Sequence, residues 1–323
     1  MGLLPKDMEI LPPTDDRIFK AILTSPEAKP FLMKLITGII GRKVVDVTIH
    51  NNEIPISDTL EKSERFDVNC KIDDGSQVNI EMQASRMEEA KGGGHENLKG
   101  KIVYYLCDLH SSQPSKGQLR YDRLARTYQV TFCSYAVFPK RKEYLNSFSM
   151  RHDIDNELLH DAVQTIIIEL SKLGDVVTKP PETMTDLEKF SVFFEYAANP
   201  AYRDVVNKVI ESEEVLAVAS NVLMSISQDE RERAIFRSRK KFQTDLASNM
   251  ATAIDNAKAE GKAEGKAEGR VEGRVEGKAE GKKDMALMIA RNAKAMGMDT
   301  ESIIKLTGLT SKEIECVMSE PAA

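Results

Sequence analysis

Three side chains with metal-site chemistry, Asp67, Glu81 and Gln83, lie in the stretch ERFDVNCKIDDGSQVNIEMQ that runs from Glu64 to Gln83. Two carboxylates can share a hard cation through their oxygens, and an amide can orient a water by donating and accepting hydrogen bonds. That chemistry requires Asp67 and Glu81 to meet. Phe66, Val68, Cys70 and Ile72 alternate with polar residues, and so do Val78, Ile80 and Met82 after Asp73-Asp74-Gly75. Alternation on both sides of an Asp/Gly turn predicts a hairpin. Opposed residues of an antiparallel pair point the same way, so apolar must face apolar. A two-residue loop at Asp74-Gly75 would set Asp67 against Met82. A three-residue loop with left-handed Gly75 sets Val68 against Ile80 and Asp67 against Glu81. Opposed carboxylates repel, and a divalent cation such as Mg²⁺ would relieve them. The same spacing also fits a wet hairpin face on which both acids splay into water.

These residues carry a resemblance. Asp67, a hairpin, then Glu81-Met82-Gln83 is similar to the metal site of the PD-(D/E)XK nucleases, and the form ending in Gln resembles the recombination-promoting nuclease and transposase family. Asp16-Arg17-Ile18-Phe19-Lys20 resembles that family's opening D-x-x-F-K helix. Lys101-Ile102-Val103-Tyr104-Tyr105 resembles its next helix, with Lys where a basic residue is expected, and the Glu-Gly repeats near the C-terminus are similar too. The resemblance implies a restriction-endonuclease-like α/β/α core with a mixed sheet, followed by a helical C-terminal extension. It implies a DNA endonuclease dependent on Mg²⁺ (or Mn²⁺), with metal held by Asp67, Glu81 and the backbone carbonyl of Met82; the alternative is a weak or inactive nuclease-fold protein that acts as a DNA-binding or oligomeric scaffold. Gln83 stands where most of the wider superfamily carries lysine. Lys101 could supply the missing cation, with Lys99 as second choice, and Asp16 could add a further acid.

The chain has 323 residues, 41% hydrophobic, with a formal net charge of -6. Overall charge therefore does not announce a nucleic-acid partner. Between Asn97 and Glu143, however, nine Lys/Arg face three acids, a local excess of six positive charges. Lys99, Arg120, Arg123 and Arg126 are candidates there for phosphate-backbone contacts. The four cysteines form no C-x-x-C pair or zinc spacing, as expected of reduced thiols in a cytoplasmic protein. Met1–Glu9 is short and polar for a signal peptide, and no apolar run suffices for a membrane span.

The elements that must place these side chains follow from periodicity. Helices are expected after Pro12-Pro13-Thr14-Asp15, over 27–40, and over 96–110. Strands are expected over 44–49, 127–138 and 163–170. Residues 1–178 thus read as the nuclease-like domain. Residues 179–257 read as a helical extension with helices over 185–198, 202–226 and 229–258, in which Phe190, Phe193, Phe194 and Tyr196 are expected to be core. Residues 258–283 hold a tetrapeptide array with glycine at 261, 265, 269, 273, 277 and 281. Each glycine costs a helix about 1 kcal/mol relative to alanine, and the i,i+4 neighbours are like-charged. The array is either a helix completed by a second copy in a homo-oligomer or a solvated linker. Residues 284–323 read as a small helical segment.

Overall fold

The computed structural model describes residues 2–50, 68–84, 94–113 and 120–319. They form two compact units, Met1–Ala247 and Ser248–Ala323. In the first unit, Asp15 caps helix α1 (Asp16–Thr24) by accepting from the backbone N–H groups of Arg17 and Ile18. Helix α1 turns Ile18, Phe19, Ile22 and Leu23 inward. After a short 3₁₀ turn at Pro26–Ala28, α2 (Lys29–Ile40) follows. Strand β1 (Val47–Ile49) is shorter than the six residues expected from the sequence.

The hairpin of β2 (Val68–Ile72) and β3 (Gln77–Gln83) has the register that alternation requires: Val68 opposes Ile80 and Cys70 opposes Val78. Its loop is Asp73-Asp74-Gly75, closed by Gly75 N–H donating to Ile72 O at 2.8 Å. Gly75 has φ +89°, where a side chain would be strained. Asp67 lies outside the described residues.

Six strands form one mixed sheet in the order β1-β2-β3-β4-β6-β5. Helix α3 (Gly94–Ser111) carries the chain from β3 to the parallel strand β4 (Thr127–Cys133). Strand β6 (Val163–Glu169) runs parallel to β4, and β5 (Leu145–Phe148) closes the edge antiparallel to β6. Strand β4 ends at Cys133 rather than Phe138. There Ser134 N–H donates to Gln83 O, and its hydroxyl donates to Ala84 O at 2.8 Å, which turns the chain out of the ladder. Strand β5 was not expected; it has four residues, of which only Asn146 is buried.

One face of the sheet packs on α1, α2 and three later helices: α4 (Asp186–Tyr196), α5 (Arg203–Glu211) and α6 (Glu214–Gln228). The helices expected as a separate extension thus share the main core. The cause is aromatic packing. Phe194 lies 5.0 Å from Phe19 and 5.4 Å from Phe132 between ring centroids, and Phe190 lies 5.1 Å from Phe31. The helix expected over 202–226 breaks at Ser212-Glu213. The Ser212 hydroxyl donates back to Val209 O, and Glu213 is extended and pairs with Lys34. Helix α3 covers the other face, where Leu98, Ile102, Cys133 and Ile167 form a second cluster.

Helix α7 (Glu230–Ala295) continues unbroken through the glycine array. In the second unit its side chains from Ala251 to Met285 are exposed, and nothing lies within 4 Å of where a Cβ would stand at any of the six array glycines. Helices α8 (Thr300–Thr307) and α9 (Ser311–Ser319) follow. Ala290, Ala293, Ile303, Leu309 and Ile314 make the small core of this unit. Among the described residues, no helix is long and apolar enough to cross a membrane.

Candidate active site

Strand β3 lies between β2 and β4, so both of its edges are hydrogen-bonded. Val78, Ile80 and Met82 enter the main core. Asn79, Glu81 and Gln83 alternate onto the face beneath α3. Glu81 is only 3% exposed, so for this residue the wet hairpin face is ruled out. A buried carboxylate needs partners. Asn79 Nδ2 donates to Glu81 Oε1 at 3.2 Å, and Gln83 Nε2 donates to Oε2 at 3.4 Å. Lys101 Nζ stands 3.7 Å from Oε2. Beneath them the polar row continues, because Asn79 also donates to Gln129 Oε1 at 2.8 Å.

Helix α3 runs antiparallel to β4. Its last turn touches the start of that strand, where His110 Nδ1 lies 2.9 Å from Thr127 Oγ1. Its earlier turns therefore lie over the carboxyl ends of the parallel strands, which is where Lys101 meets Glu81. Lys101 Nζ also sits 5.2 Å from the Tyr105 ring centroid. Lys99, the second choice for this role, pairs instead with Glu96 at 2.6 Å and lies over the Phe138 ring.

Glu81, Met82, Gln83 and Lys101 line an open cleft of about 480 Å³, together with Asp15 and Asp16 from the start of α1. Sequence reasoning did not foresee the far wall, where α7 contributes Phe236, Lys240 and Gln243. It also missed Arg239, whose Nη2 lies 2.9 Å from Asp16 Oδ1 and whose Nη1 lies 3.6 Å from Asp15 Oδ1. The only sequence signal was the charge-dense run Arg237–Lys241, which also reads as a solvated helix face.

Burial pushes the Asp15 carboxyl up, with the Asp16 charge adding to it. Burial acts the same way on Asp16, but the Arg239 hydrogen bond and charge outweigh it and hold Asp16 below its ordinary value. A carboxyl lowered in the folded state contributes stability above its unfolded pKa and loses that contribution as pH falls through the folded value. Arg239→Ala should therefore lower the melting temperature at pH 7 by about 1–2 °C, as expected for roughly 1 kcal/mol in a chain of this size. The gap to the unmodified protein should begin to narrow as pH falls below about 4, the ordinary aspartate range, and go on closing as pH passes the lowered value of Asp16. Thermal melts at pH 7 and pH 3 check this; a gap that is equal at both would show that Arg239 acts by packing alone.

The basic stretch divides between the two ends of β4. Arg120, Arg123 and Arg126 precede the strand, at the end away from Glu81 and Gln83. Arg120 is committed to Asp122 at 2.6 Å, and Arg126 to Asp161 at 3.5 Å and Gln164 at 3.1 Å. Lys99 on α3 and the three arginines before β4 thus stand towards different ends of that strand, because α3 and β4 run in opposite directions.

Among the described residues, every ionisable acceptor lining the cleft is a carboxylate, and no thiol or imidazole lines it. That donor set suits a hard cation such as Mg²⁺. Among the described residues, no three His, Cys, Asp or Glu side chains converge closely enough to hold one. The acid opposite Glu81 in the expected pair, Asp67, is not among them.

No curated protein and no solved structure matches the chain. A family model described as PD-(D/E)XK nuclease family transposase matches residues 13–253, a span that contains Asp16, Glu81, Gln83, Lys101 and Arg239. The chain belongs to that family.

Proposed function

We propose that this protein is a divalent-metal-dependent DNA endonuclease that hydrolyses phosphodiester bonds in recombination or transposition. One observation carries the reading: Glu81, Gln83 and Lys101 meet at the carboxyl end of β3, in a cleft that also holds Asp16. Asp67 directly precedes Val68, the partner of Ile80. In this reading it joins Glu81 and the Met82 carbonyl as the ligand set for Mg²⁺ or Mn²⁺. When bound, such an ion polarises the scissile phosphate and lowers the pKa of a water. The chain's own residues do the rest. The Lys101 ammonium, 3.7 Å from Glu81, offers positive charge to a phosphate oxygen. The Gln83 amide orients the attacking water but brings no charge. Asp16, steadied by Arg239, adds an acceptor on the opposite wall.

A second reading is a DNA-binding or scaffolding protein that does not cut. It is favoured by the protein cations already beside two cleft acids, Lys101 at Glu81 and Arg239 at Asp16. Plasmid nicking with Mg²⁺ by the unmodified protein and by Asp67→Ala separates the two readings. Nicking by the first alone supports the endonuclease; equal nicking by both, or none by either, overturns it. Assembly into a homo-oligomer through residues 258–283 belongs to the same proposal. Deleting them should reduce the mass measured by light scattering, and an unchanged mass would exclude the array from assembly.

A further inference from the structure

We infer that the cleft-facing side of α7 is a phosphate-binding wall, in which Lys240, assisted by Gln243, contacts the phosphodiester backbone of duplex DNA across from Lys101. The inference rests on the endonuclease reading for its substrate class and names a residue outside the metal and water positions.

Phe236, Lys240 and Gln243 follow one another at i, i+4 and i+7, the spacing that puts three side chains on one helix face. All three line the cleft shared with Glu81, Gln83 and Lys101. The rotation of α7 about its axis is set by ion pairs on either side of this face. Glu232 accepts from Arg17 at 2.9 Å, Arg233 and Arg237 reach Glu9, and Arg239 grips Asp16. Phe236 seals the inner edge by packing on the main core. The arginines of this turn are thus spent on acids of the chain. Lys240 is not: among the described residues, no carboxylate pairs with it. An exposed ammonium and a primary amide four and seven residues from an apolar anchor provide donors and no negative charge. Lys101 supplies the matching cation from α3. Two lysines from different helices, lining one cleft with the carboxylates, fit a ligand that carries phosphates along a strand, since each neutralised phosphate releases counterions from the duplex.

The test is duplex binding by fluorescence anisotropy in EDTA, over 50–200 mM salt, with the full chain. Lys240→Gln keeps the length and helix propensity of the side chain and removes its charge. It should weaken binding several-fold at 50 mM salt and make the slope of log affinity against log salt shallower by about 0.9. The gap to the unmodified protein should then narrow roughly 3.5-fold by 200 mM. Lys240→Arg should restore both values, and Lys6→Gln, which alters a surface pair with Asp204 away from the cleft, should change neither. Equal affinity and slope for Lys240→Gln and the unmodified protein would overturn the inference. So would an equal loss in Lys6→Gln, or no duplex binding by the unmodified chain. Because no cutting is needed, the result is independent of the endonuclease reading. Weakened binding in Lys240→Gln, with no nicking by any form, would keep this wall and remove that reading.

Discussion

Glu81→Gln should yield a folded protein whose plasmid nicking in Mg²⁺ or Mn²⁺ falls at least about 100-fold, since even residues that merely support a metal ligand cost 10–100-fold when changed. The substitution keeps volume and shape in a site that is 3% exposed. Asn79 Nδ2 can still donate to the retained carbonyl oxygen, in place of its 3.2 Å bond to the carboxylate. The new amide nitrogen, however, faces Gln83 Nε2 and Lys101 Nζ, both donors. That mismatch should cost about 1–3 kcal/mol, the usual penalty for an unsatisfied buried polar group. Two measurements check the prediction. The nicking rate should collapse, and the rise in melting temperature on adding Ca²⁺, expected for an ion that binds only the folded chain, should disappear. A rate equal to that of the unmodified protein would remove Glu81 from the reaction.

Lys101→Ala should cost nearly as much. One well-placed donor in a water-poor site is worth roughly 3 kcal/mol to a developing negative charge, which is a rate loss of about 100-fold. Gln83→Lys places an ammonium two residues from Glu81 on the same strand face, where the Gln83 amide already reaches Glu81 Oε2 at 3.4 Å. Added to Lys101→Ala, it should recover part of the lost activity. On its own it should raise nicking or leave it unchanged, because Lys101 already stands 3.7 Å from Glu81. Undiminished nicking by Lys101→Ala would show that this lysine is not the missing cation. In that case the charge must come from elsewhere in the chain.

The hairpin register was legible because a one-residue slip would have set Asp67 against Met82, and Gly75 marked the loop length. The covering of its polar face was not legible. Alternation shows which residues share a face, but not whether helix α3 will lie over Asn79 and Glu81. Strand β5 has four residues and little alternation, too short a signal to separate from a loop. The place of Phe190, Phe193 and Phe194 as core was readable from their type. Their partners Phe19, Phe31 and Phe132 lie far off in sequence, so the sharing of one core by 1–178 and the following helices was not. Arg239 is the extreme case. It grips Asp16 across more than two hundred residues, and no local pattern distinguishes an arginine that holds an acid from one that faces water.

Two thiols placed on opposite faces of the sheet make the protein its own reporter of which face opens. Cys70 lies in the main core, with its thiol pushed up to about 12 by burial. Cys133 lies beneath α3, with its thiol raised by burial and by the nearby charges of Glu169 and Glu81. Only the thiolate reacts, so neither should be modified without local opening, and each should be modified at the rate at which its own cover lifts. With Cys107 and Cys316 replaced by serine, a disulfide reagent would read two separate clocks in one chain. A ligand that draws α3 off the sheet would speed the Cys133 clock and leave that of Cys70 unchanged, whereas global unfolding would speed both together.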